Sequence, residues 1–190
     1  MISLLPFCDE NAAESRLPGM VRPWREGSFV YATNGAILVR VNAEDFTLWM
    51  PATERVLNNC GTLIEHALKI RRWEKWPKIP TCRRCDNTGH AFQACADCTD
   101  HTDPVDDECV ECSGTGEVKT LCDCTITLGK TTIALRYAEL CSLLPDARWA
   151  QTTKEHKIAF KFSGGYGVVM GMVFPKERTE KRHRLRRMQP

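Results

Sequence analysis

The chain has 190 residues, of which 43% are hydrophobic, and a formal net charge of +2 at pH 7. This length is enough for one hydrophobic core with a small appended module. The near-neutral total excludes a chain that is strongly basic or strongly acidic throughout. No apolar stretch approaches the roughly 20 residues that a membrane-spanning helix needs, which argues against an integral membrane protein.

Eleven cysteines are present, a number that would suggest disulfides in a short secreted chain. Here the count is odd, and most cysteines lie in close pairs of the form C-x-x-C or C-x-C. The first residues lack the basic n-region and the long apolar run of a signal peptide. We therefore expect a reducing compartment and a cytoplasmic protein.

The first 27 residues are rich in Pro and Gly and are predicted to be irregular. Residues 28–41 predict a β-hairpin, because two runs of β-branched and aromatic residues flank Asn34-Gly35, a favourable turn dipeptide. Residues Phe46–Met50 suggest a further short strand. A helix is then predicted from Pro51 to Trp73, with apolar residues at helical spacing and a basic end.

The α/β pattern returns after Cys124. Residues 125–135 predict strands that turn at Gly129, residues 136–144 a short helix, and residues 148–152, 157–162 and 166–174 three further strands. The fold class predicted is α+β, an antiparallel-sheet domain with helices that is interrupted by a cysteine-rich module. The predicted divisions are 1–80 and 126–175 for the two parts of the domain, 81–125 for the insertion, and 176–190 for a basic disordered tail.

The insertion contains four cysteine pairs in 43 residues: Cys82/Cys85, Cys95/Cys98, Cys109/Cys112 and Cys122/Cys124. A C-x-x-C pair places two sulfurs on one side of a tight turn, and two such pairs close a tetrahedral Zn²⁺ site. Four pairs therefore predict two structural Zn²⁺ ions. The equal outer arms favour a nested pairing, in which the outer two pairs share one ion and the inner two share the other; sequential pairing remains open.

Charge is unevenly divided between the insertion and the rest of the chain. Residues 82–124 hold ten acidic and three basic residues, a net charge of −7, so the remainder carries +9. Each Zn²⁺ bound by four thiolates adds about −2 to the insertion. We expect such a module to contact a protein partner and to be a poor reader of DNA.

The segment Cys109-Val-Glu-Cys112-Ser-Gly114-Thr-Gly116 and the related segment Cys82 to Gly89 resemble the C-x-x-C-x-G-x-G repeats of the cysteine-rich domain of DnaJ-type co-chaperones. Asn87 replaces one repeat glycine, and the Cys95 and Cys122 pairs lack the glycines. The resemblance covers about 45 residues and implies a β-hairpin fold with nested zinc pairing. No His-Pro-Asp tripeptide is present, so it does not imply recruitment of a chaperone ATPase.

The flanking sequence resembles, over about 65 residues, one domain of the bacterial DNA sliding clamp, the polymerase III beta subunit. The similar segments are Tyr31 to Leu38, Ile133 to Pro145 and Gly167 to Met172. The chain is too short for a three-domain clamp, so a ring would require about six copies, that is, a homo-oligomer. The resemblance implies a body that acts on DNA.

Five basic residues predicted to lie on this one helix, near Trp73 and Trp76, are candidates for nucleic-acid binding, because such a basic stripe is able to neutralise phosphates. The candidates are Arg55, Lys69, Arg71, Arg72 and Lys75. A solvated helix face is the alternative reading of the same residues. The basic tail would add non-specific affinity.

Three hypotheses follow. The first is a non-catalytic zinc-binding accessory protein of phage or prophage type, which acts in DNA transactions through a clamp-like body and uses the zinc hairpin as a protein-interaction arm. The second is a DnaJ-like polypeptide-binding adaptor without nucleic acid. The third, a zinc enzyme, is disfavoured because four thiolates leave no open coordination position.

Overall fold

The computed structural model of the chain describes residues 3–9, 20, 22–45, 54–96, 98, 109, 111–153 and 156–172. The helices in these residues are α1, Glu54–Leu68, and α2, Leu135–Ser142. The strands are β1 Trp24–Glu26, β2 Phe29–Thr33, β3 Ile37–Asn42, β4 Glu74–Lys75, β5 His90–Ala94, β6 Glu117–Leu121, β7 Thr125–Leu128, β8 Thr131–Ala134, β9 Arg148–Gln151, β10 Lys157–Phe162 and β11 Gly165–Met170.

Seven strands form one antiparallel sheet in the order β1-β2-β3-β11-β10-β9-β4. One face of this sheet packs against α2, the β7–β8 hairpin and a 3₁₀ turn at Leu5–Phe7. The other face carries a smaller apolar cluster beneath α1, centred on Ile64 and Val168. The α+β class with a mostly antiparallel sheet is therefore confirmed.

The predicted hairpin over residues 28–41 is formed by β2 and β3. The Asn34 side-chain oxygen accepts hydrogen bonds from the backbone N–H groups of Ala36 and Ile37, at 3.0 and 3.1 Å. Gly35 adopts φ +85°, which a residue without Cβ tolerates. The side chains of Asn34 and Thr33, together with Gly35, thus stabilise the turn.

Helix α1 is shorter than the predicted span from Pro51 to Trp73. It ends at Leu68, where the Ile70 N–H bonds to the Ala67 carbonyl at 3.2 Å. The chain then extends, so that Ile70 and Trp73 pack on the sheet and Lys75 pairs with Arg148 on β9. Sheet pairing and burial of Trp73 therefore override the continuing helical pattern.

The other predicted elements agree with the structure, with one exception. Gly129 turns between β7 and β8 at φ +58°. Strand β10 has its predicted bounds, α2 and β9 lie within two residues of theirs, and β11 begins one residue and ends four residues before its predicted bounds. The prediction that the first 27 residues are irregular is wrong for β1 and for the turn at Leu5–Phe7, which contribute fully buried Trp24 and Phe7. The predicted strand Phe46–Met50 and the basic tail lie outside the described residues.

Strands β5 and β6 form a separate two-stranded sheet that belongs to the cysteine-rich segment. In the part of the chain that the structure describes, no helix has the length and apolar character required to traverse a bilayer.

Candidate metal centres and basic sheet face

The eight paired cysteines gather into two groups of four. One group, the proximal site, contains Cys82, Cys85, Cys122 and Cys124, and the other, the distal site, contains Cys95, Cys98, Cys109 and Cys112. Within each group all sulfurs lie within 4.8 Å of one another. The structure thus brings the outer two pairs together and the inner two pairs together.

The sulfur separations match a tetrahedral zinc site. A Zn–S bond of 2.3 Å in tetrahedral geometry requires sulfurs about 3.8 Å apart. Cys82 and Cys122 are 3.8 Å apart and Cys85 and Cys124 are 3.5 Å apart; the corresponding distal distances are 3.8 and 3.5 Å. All eleven cysteines are free thiols. The two groups therefore fit two structural Zn²⁺ ions, each closed by four sulfurs.

Each site contains one C-x-x-C turn with left-handed backbone, at Cys82–Cys85 in the proximal site and at Cys109–Cys112 in the distal site. After Cys85, the residues Asp86, Asn87 and Gly89 adopt φ of +44, +64 and +80°. After Cys112, the equivalent residues Ser113, Gly114 and Gly116 adopt φ of +50, +78 and +72°. Glycine and asparagine tolerate this conformation best, which explains why the repeat carries them.

The two turns also share their hydrogen bonds. The Thr88 hydroxyl donates to the carbonyl of Cys85 at 2.7 Å, and the Thr115 hydroxyl donates to that of Cys112 at 2.6 Å. The amides of Asp86 and Ser113 bond to the carbonyls of Cys82 and Cys109 at 2.8 and 2.7 Å. The same local geometry is therefore built twice, 27 residues apart.

The two halves of the zinc hairpin share one hydrogen-bond pattern. The amide of Cys122 bonds to the Gly89 carbonyl at 2.9 Å, and the amide of Cys95 bonds to the Gly116 carbonyl at 2.8 Å. Residues 27 apart in sequence thus exchange roles, and the central cross-strand pair is Phe92 with Lys119. The turn after Cys85 thus bonds to Cys122 of the same site, and the turn after Cys112 bonds to Cys95 of the same site. These bonds hold the cysteine pairs of each nested site together.

Asn87 does more than tolerate positive φ. Its side-chain oxygen accepts a hydrogen bond from the Cys82 amide at 2.8 Å, and its side-chain nitrogen donates to the Pro80 carbonyl at 3.0 Å. Gly114, its equivalent in the distal turn, cannot make such bonds. Asn87 therefore connects the proximal turn to the residues that precede it. The sequence showed an Asn in place of a repeat glycine but did not predict these hydrogen bonds.

The proximal site is also joined to the α+β body. The Leu135 amide at the start of α2 bonds to the Cys124 carbonyl at 2.9 Å. The Arg136 side chain packs against Gly89, where an added Cβ would meet the Arg136 Cδ at 2.6 Å. Arg136 in turn donates to the Tyr137 hydroxyl at 2.9 Å. These contacts place the proximal site at the junction between the hairpin and the body.

The metal-free thiols would ionise unequally. The pKa of Cys82 is lowered to about 7, mainly by a hydrogen bond from the Arg84 backbone. Burial raises the pKa of Cys112, but hydrogen bonds from Cys98, Cys109 and the Gly116 amide outweigh it and lower the pKa to about 7. Thiols of neighbouring cysteines supply part of this stabilisation. Zinc would replace those shared protons, so binding releases protons.

The histidines near the cysteines do not join the ligand groups among the described residues. His90 is half-buried on β5, and its pKa is lowered first by desolvation and then by Lys119 and Arg136. His101 lies outside the described residues. Cys8, Cys60 and Cys141 are buried thiols; burial raises the pKa of Cys8 and of Cys60 to about 11, which makes them poor nucleophiles.

A row of cationic side chains crosses the α1 face of the large sheet. Directly opposed residues on neighbouring antiparallel strands share one face. The pairs Arg40 with Tyr166, Tyr166 with Lys161, Lys161 with Arg148, and Arg148 with Lys75 therefore form one line. This line, the basic row, spans four interstrand spacings, about 19 Å.

Aromatic rings lie between these cations. The Arg40 guanidinium lies 4.2 Å above the Phe29 ring, and the Lys161 ammonium lies 5.2 Å from the Trp73 ring. Trp73 itself contacts Tyr166 with ring centroids 6.3 Å apart. Among the described residues, no cation of the basic row forms an ion pair with a carboxylate. The row is therefore an uncompensated positive surface with aromatic rings.

The structure separates the predicted nucleic-acid candidates. Arg55 lies on α1, whereas Lys69, Arg71 and Arg72 follow its end as exposed residues. Lys75 is on β4 and belongs to the basic row. The prediction that all five lie on one helix is wrong, because the helix ends at Leu68.

Sequence reasoning missed three members of the basic row. These members are single basic residues on strands that are otherwise largely apolar: Arg40 on β3, Arg148 on β9 and Lys161 on β10. A lone basic residue in an apolar strand was the only sign in the sequence that could have indicated them. Their alignment depends on pairings between distant segments, which the sequence pattern does not encode locally.

Comparison of the chain with family models, with curated proteins and with solved structures found no match.

Proposed function

We propose that this chain is a non-catalytic, zinc-stabilised accessory protein that binds nucleic acid on the α1 face of its large sheet and uses the zinc hairpin as an arm for a protein partner. The observation that supports it best is the basic row with its interleaved rings. Cations neutralise phosphates, and aromatic rings suit contact with bases. The nucleic-acid contact in this proposal comes from the row and not from the clamp resemblance.

Further cations extend this surface. Lys69, Arg71 and Arg72 are exposed just before β4, and Lys157 shares β10 and its α1-facing side with Lys161. Glu26 lies on the same face, at the β1 edge and two strands from Arg40. Glu74 opposes Trp149, a residue of the opposite core, and so belongs to the other face. The positive charge thus dominates the half of the face from β3 to β4.

The arm function is supported by two exposed apolar side chains on β5 and β6. Phe92 is 65% exposed and Leu121 is 75% exposed. Both lie on one face of the small sheet, because Phe92 opposes Lys119 and Leu121 opposes His90. Large apolar groups on an otherwise acidic module are typical of protein contact sites.

The first experiment measures binding of the full zinc-loaded chain to fluorescein-labelled single-stranded and duplex DNA by anisotropy, from 50 to 300 mM NaCl. About four phosphate contacts predict that log K falls with log salt with a slope of about −3 to −4. The double variant Arg40→Ala/Lys161→Ala should weaken binding and make the slope shallower by about 1.5.

The matched control is Arg83→Ala/Arg84→Ala, which removes two cations from the zinc hairpin and should leave affinity unchanged within twofold. The charge reversals Arg71→Glu, Arg72→Glu and Lys75→Glu, combined, should abolish binding. Absence of binding at 50 mM salt, or equal affinity of the row variant and the native chain, would refute the proposal.

The second candidate, a polypeptide-binding adaptor without nucleic acid, is favoured by the exposure of Phe92 and Leu121. It predicts that a reduced, unfolded polypeptide binds with an affinity insensitive to salt. Phe92→Ser/Leu121→Ser should then abolish binding, and Arg40→Ala/Lys161→Ala should have no effect.

A further inference from the structure

A pocket lies between the end of α1 and the large sheet, beside the basic row. Its volume is about 380 Å³, within the range of small-ligand sites. Its apolar floor is formed by Leu63, Ile70 and Val168, of which Val168 is fully buried in the cluster beneath α1. An apolar or aromatic group of modest size therefore fits this floor.

The ionisable residues that line the pocket are all basic among the described residues: His66, Lys69 and Lys157. The His66 Nδ1 lies 2.7 Å from the Thr62 carbonyl. Because a carbonyl oxygen only accepts, this nitrogen carries the proton, and in the neutral ring Nε2 is left as an acceptor. Lys69 and Lys157 thus favour a ligand that carries negative charge next to the apolar part that enters the pocket.

Lys157 connects the pocket with the basic row. It lies four residues from Lys161 on β10, about 13 Å along the strand, and both side chains project from the α1 face because their positions have the same parity. A short flexible polyanion is therefore able to contact the row and the pocket together.

We propose that this pocket takes one unpaired nucleobase of a single-stranded nucleic acid whose neighbouring phosphates contact Lys69, Lys157 and the basic row. The inference rests on the proposed function and adds a preference for single strands. A duplex must unpair and unstack a base before inserting it, whereas a single strand avoids most of that cost. Insertion on an apolar floor also predicts tolerance of base identity.

The experiment compares a labelled 15-nucleotide oligothymidine with a 15-base-pair duplex, using the full zinc-loaded chain. Thr62→Trp adds a bulky ring at the pocket wall without changing charge. It should lower single-strand affinity about tenfold, since a stacked base contributes roughly that much, and should leave duplex affinity within twofold. Leu68→Trp, exposed on the same helix and outside the pocket lining, is the matched control and should change neither affinity.

Zinc content and thermal unfolding would verify that Thr62→Trp folds. If it does not, Leu63→Ala, which removes part of the floor, must show the same loss of single-strand preference. An oligomer with one 2-aminopurine should also change its fluorescence on binding the native chain and not on binding the pocket variant.

Different failures separate the two proposals. If Arg40→Ala/Lys161→Ala weakens both nucleic acids but Thr62→Trp leaves the single-strand preference intact, the pocket inference is wrong and the proposed function stands. If neither nucleic acid binds the native chain, both are wrong. Binding of an alternating Leu-Glu peptide in the pocket, with no effect of Thr62→Trp on the oligomer, would also overturn the inference.

Discussion

The proximal and distal zinc sites have the same ligands, sulfur separations and turn geometry, but different surroundings. Around the distal site the described backbone bonds run within the hairpin, as from Cys95 to Gly116. Around the proximal site a backbone bond joins Cys124 to Leu135 of the body, and Gly89 packs against the Arg136 side chain. The Asn87 side chain also bonds to the Pro80 carbonyl of the incoming chain. One repeated motif therefore yields one site that stabilises the hairpin and one that also joins it to the sheet domain.

Metal sites with equivalent ligands therefore need not contribute equally to the stability of the protein. Zinc bound to four thiolates contributes folding energy wherever it binds. The contacts that a site makes beyond its four cysteines decide whether zinc binding stabilises the hairpin alone or the sheet domain as well.

The largest effect is expected from removing one ligand in each site. Cys85→Ser and Cys112→Ser occupy equivalent positions, and each should reduce bound zinc from two ions to one, with a loss of about 10 kcal/mol of metal-binding energy. Cys85→Ser should also lower the unfolding midpoint of the body by about 5 °C, because it loosens the Cys124–Leu135 bond. Metal analysis and thermal unfolding followed by tryptophan fluorescence measure both.

Equal midpoints for these two variants would contradict the comparison, since the body would then not depend on the proximal site. Leu135, Arg136 and Tyr137 would in that case hold α2 without help from the hairpin. Cys141→Ser, which alters a buried thiol outside both sites, provides the control for a general loss of stability with both zinc ions retained.

The second effect concerns thiol reactivity after zinc is removed with a chelator. The pKa values of Cys82 and Cys112, about 7, leave about half of each thiol ionised at pH 7, whereas a pKa of about 11 leaves Cys8 and Cys60 about 1 part in 10⁴ ionised. Because the thiolate is the nucleophile, iodoacetamide should modify Cys82 and Cys112 first, faster as pH rises through 7.

Peptide mapping by mass spectrometry would locate the modified residues, and the zinc-loaded chain should be protected. Cys82 and Cys112 are not equivalent under the 27-residue repeat, so this result would also show that the sites differ electrostatically. Faster modification of their equivalents, Cys109 and Cys85, would contradict the assignment.

Local signals predicted a large part of this structure. The Asn34-Gly35 turn and the spacing of the cysteine pairs act over a few residues, so the sequence alone indicated a hairpin and two groups of four thiols. Strand alternation likewise indicated β10 and β11 to within one residue at their starts. These features depend on short-range geometry that residue type determines directly.

Other features depend on contacts between distant segments. The end of α1 is set by Trp73 packing on Tyr166 and by Lys75 pairing with Arg148, which a helical pattern cannot reveal. The basic row requires the register of five strands, from β3 to β4. The short strand β1 forms because Trp24 stacks on Tyr31, with ring centroids 5.6 Å apart, in spite of the glycines and prolines around it.

The third effect concerns Asn87, where two substitutions distinguish the contribution of its left-handed backbone to stability from that of its side-chain hydrogen bonds. Asn87→Gly keeps the left-handed backbone but loses the bonds to Cys82 and Pro80, so we expect a loss of about 1–2 kcal/mol. Asn87→Ala should lose about 1 kcal/mol more, because alanine is strained at positive φ. Thermal unfolding and zinc competition with a chelator measure these losses.

The distal equivalent supplies the matched control. Gly114→Asn introduces the same residue at φ +78°, where Asn is tolerated, and should change stability by less than Asn87→Gly does. A larger loss from Gly114→Asn would show that the two turns differ in more than their contacts to the incoming chain.

The smallest effect is expected at the ion pair between Arg84 and Asp123, which bridges the two ligand loops of the proximal site. The charged atoms are 3.6 Å apart, and the side chains are 57% and 87% exposed. Solvent screens such a pair, so Arg84→Ala should change stability by at most about 0.5 kcal/mol, and less at high salt. The variant keeps the Arg84 backbone N–H that stabilises the Cys82 thiolate. A double-mutant cycle with Asp123→Ala isolates the pair, and a coupling well above that value would mean that the proximal site depends on side-chain charge as well as on backbone contacts with the body.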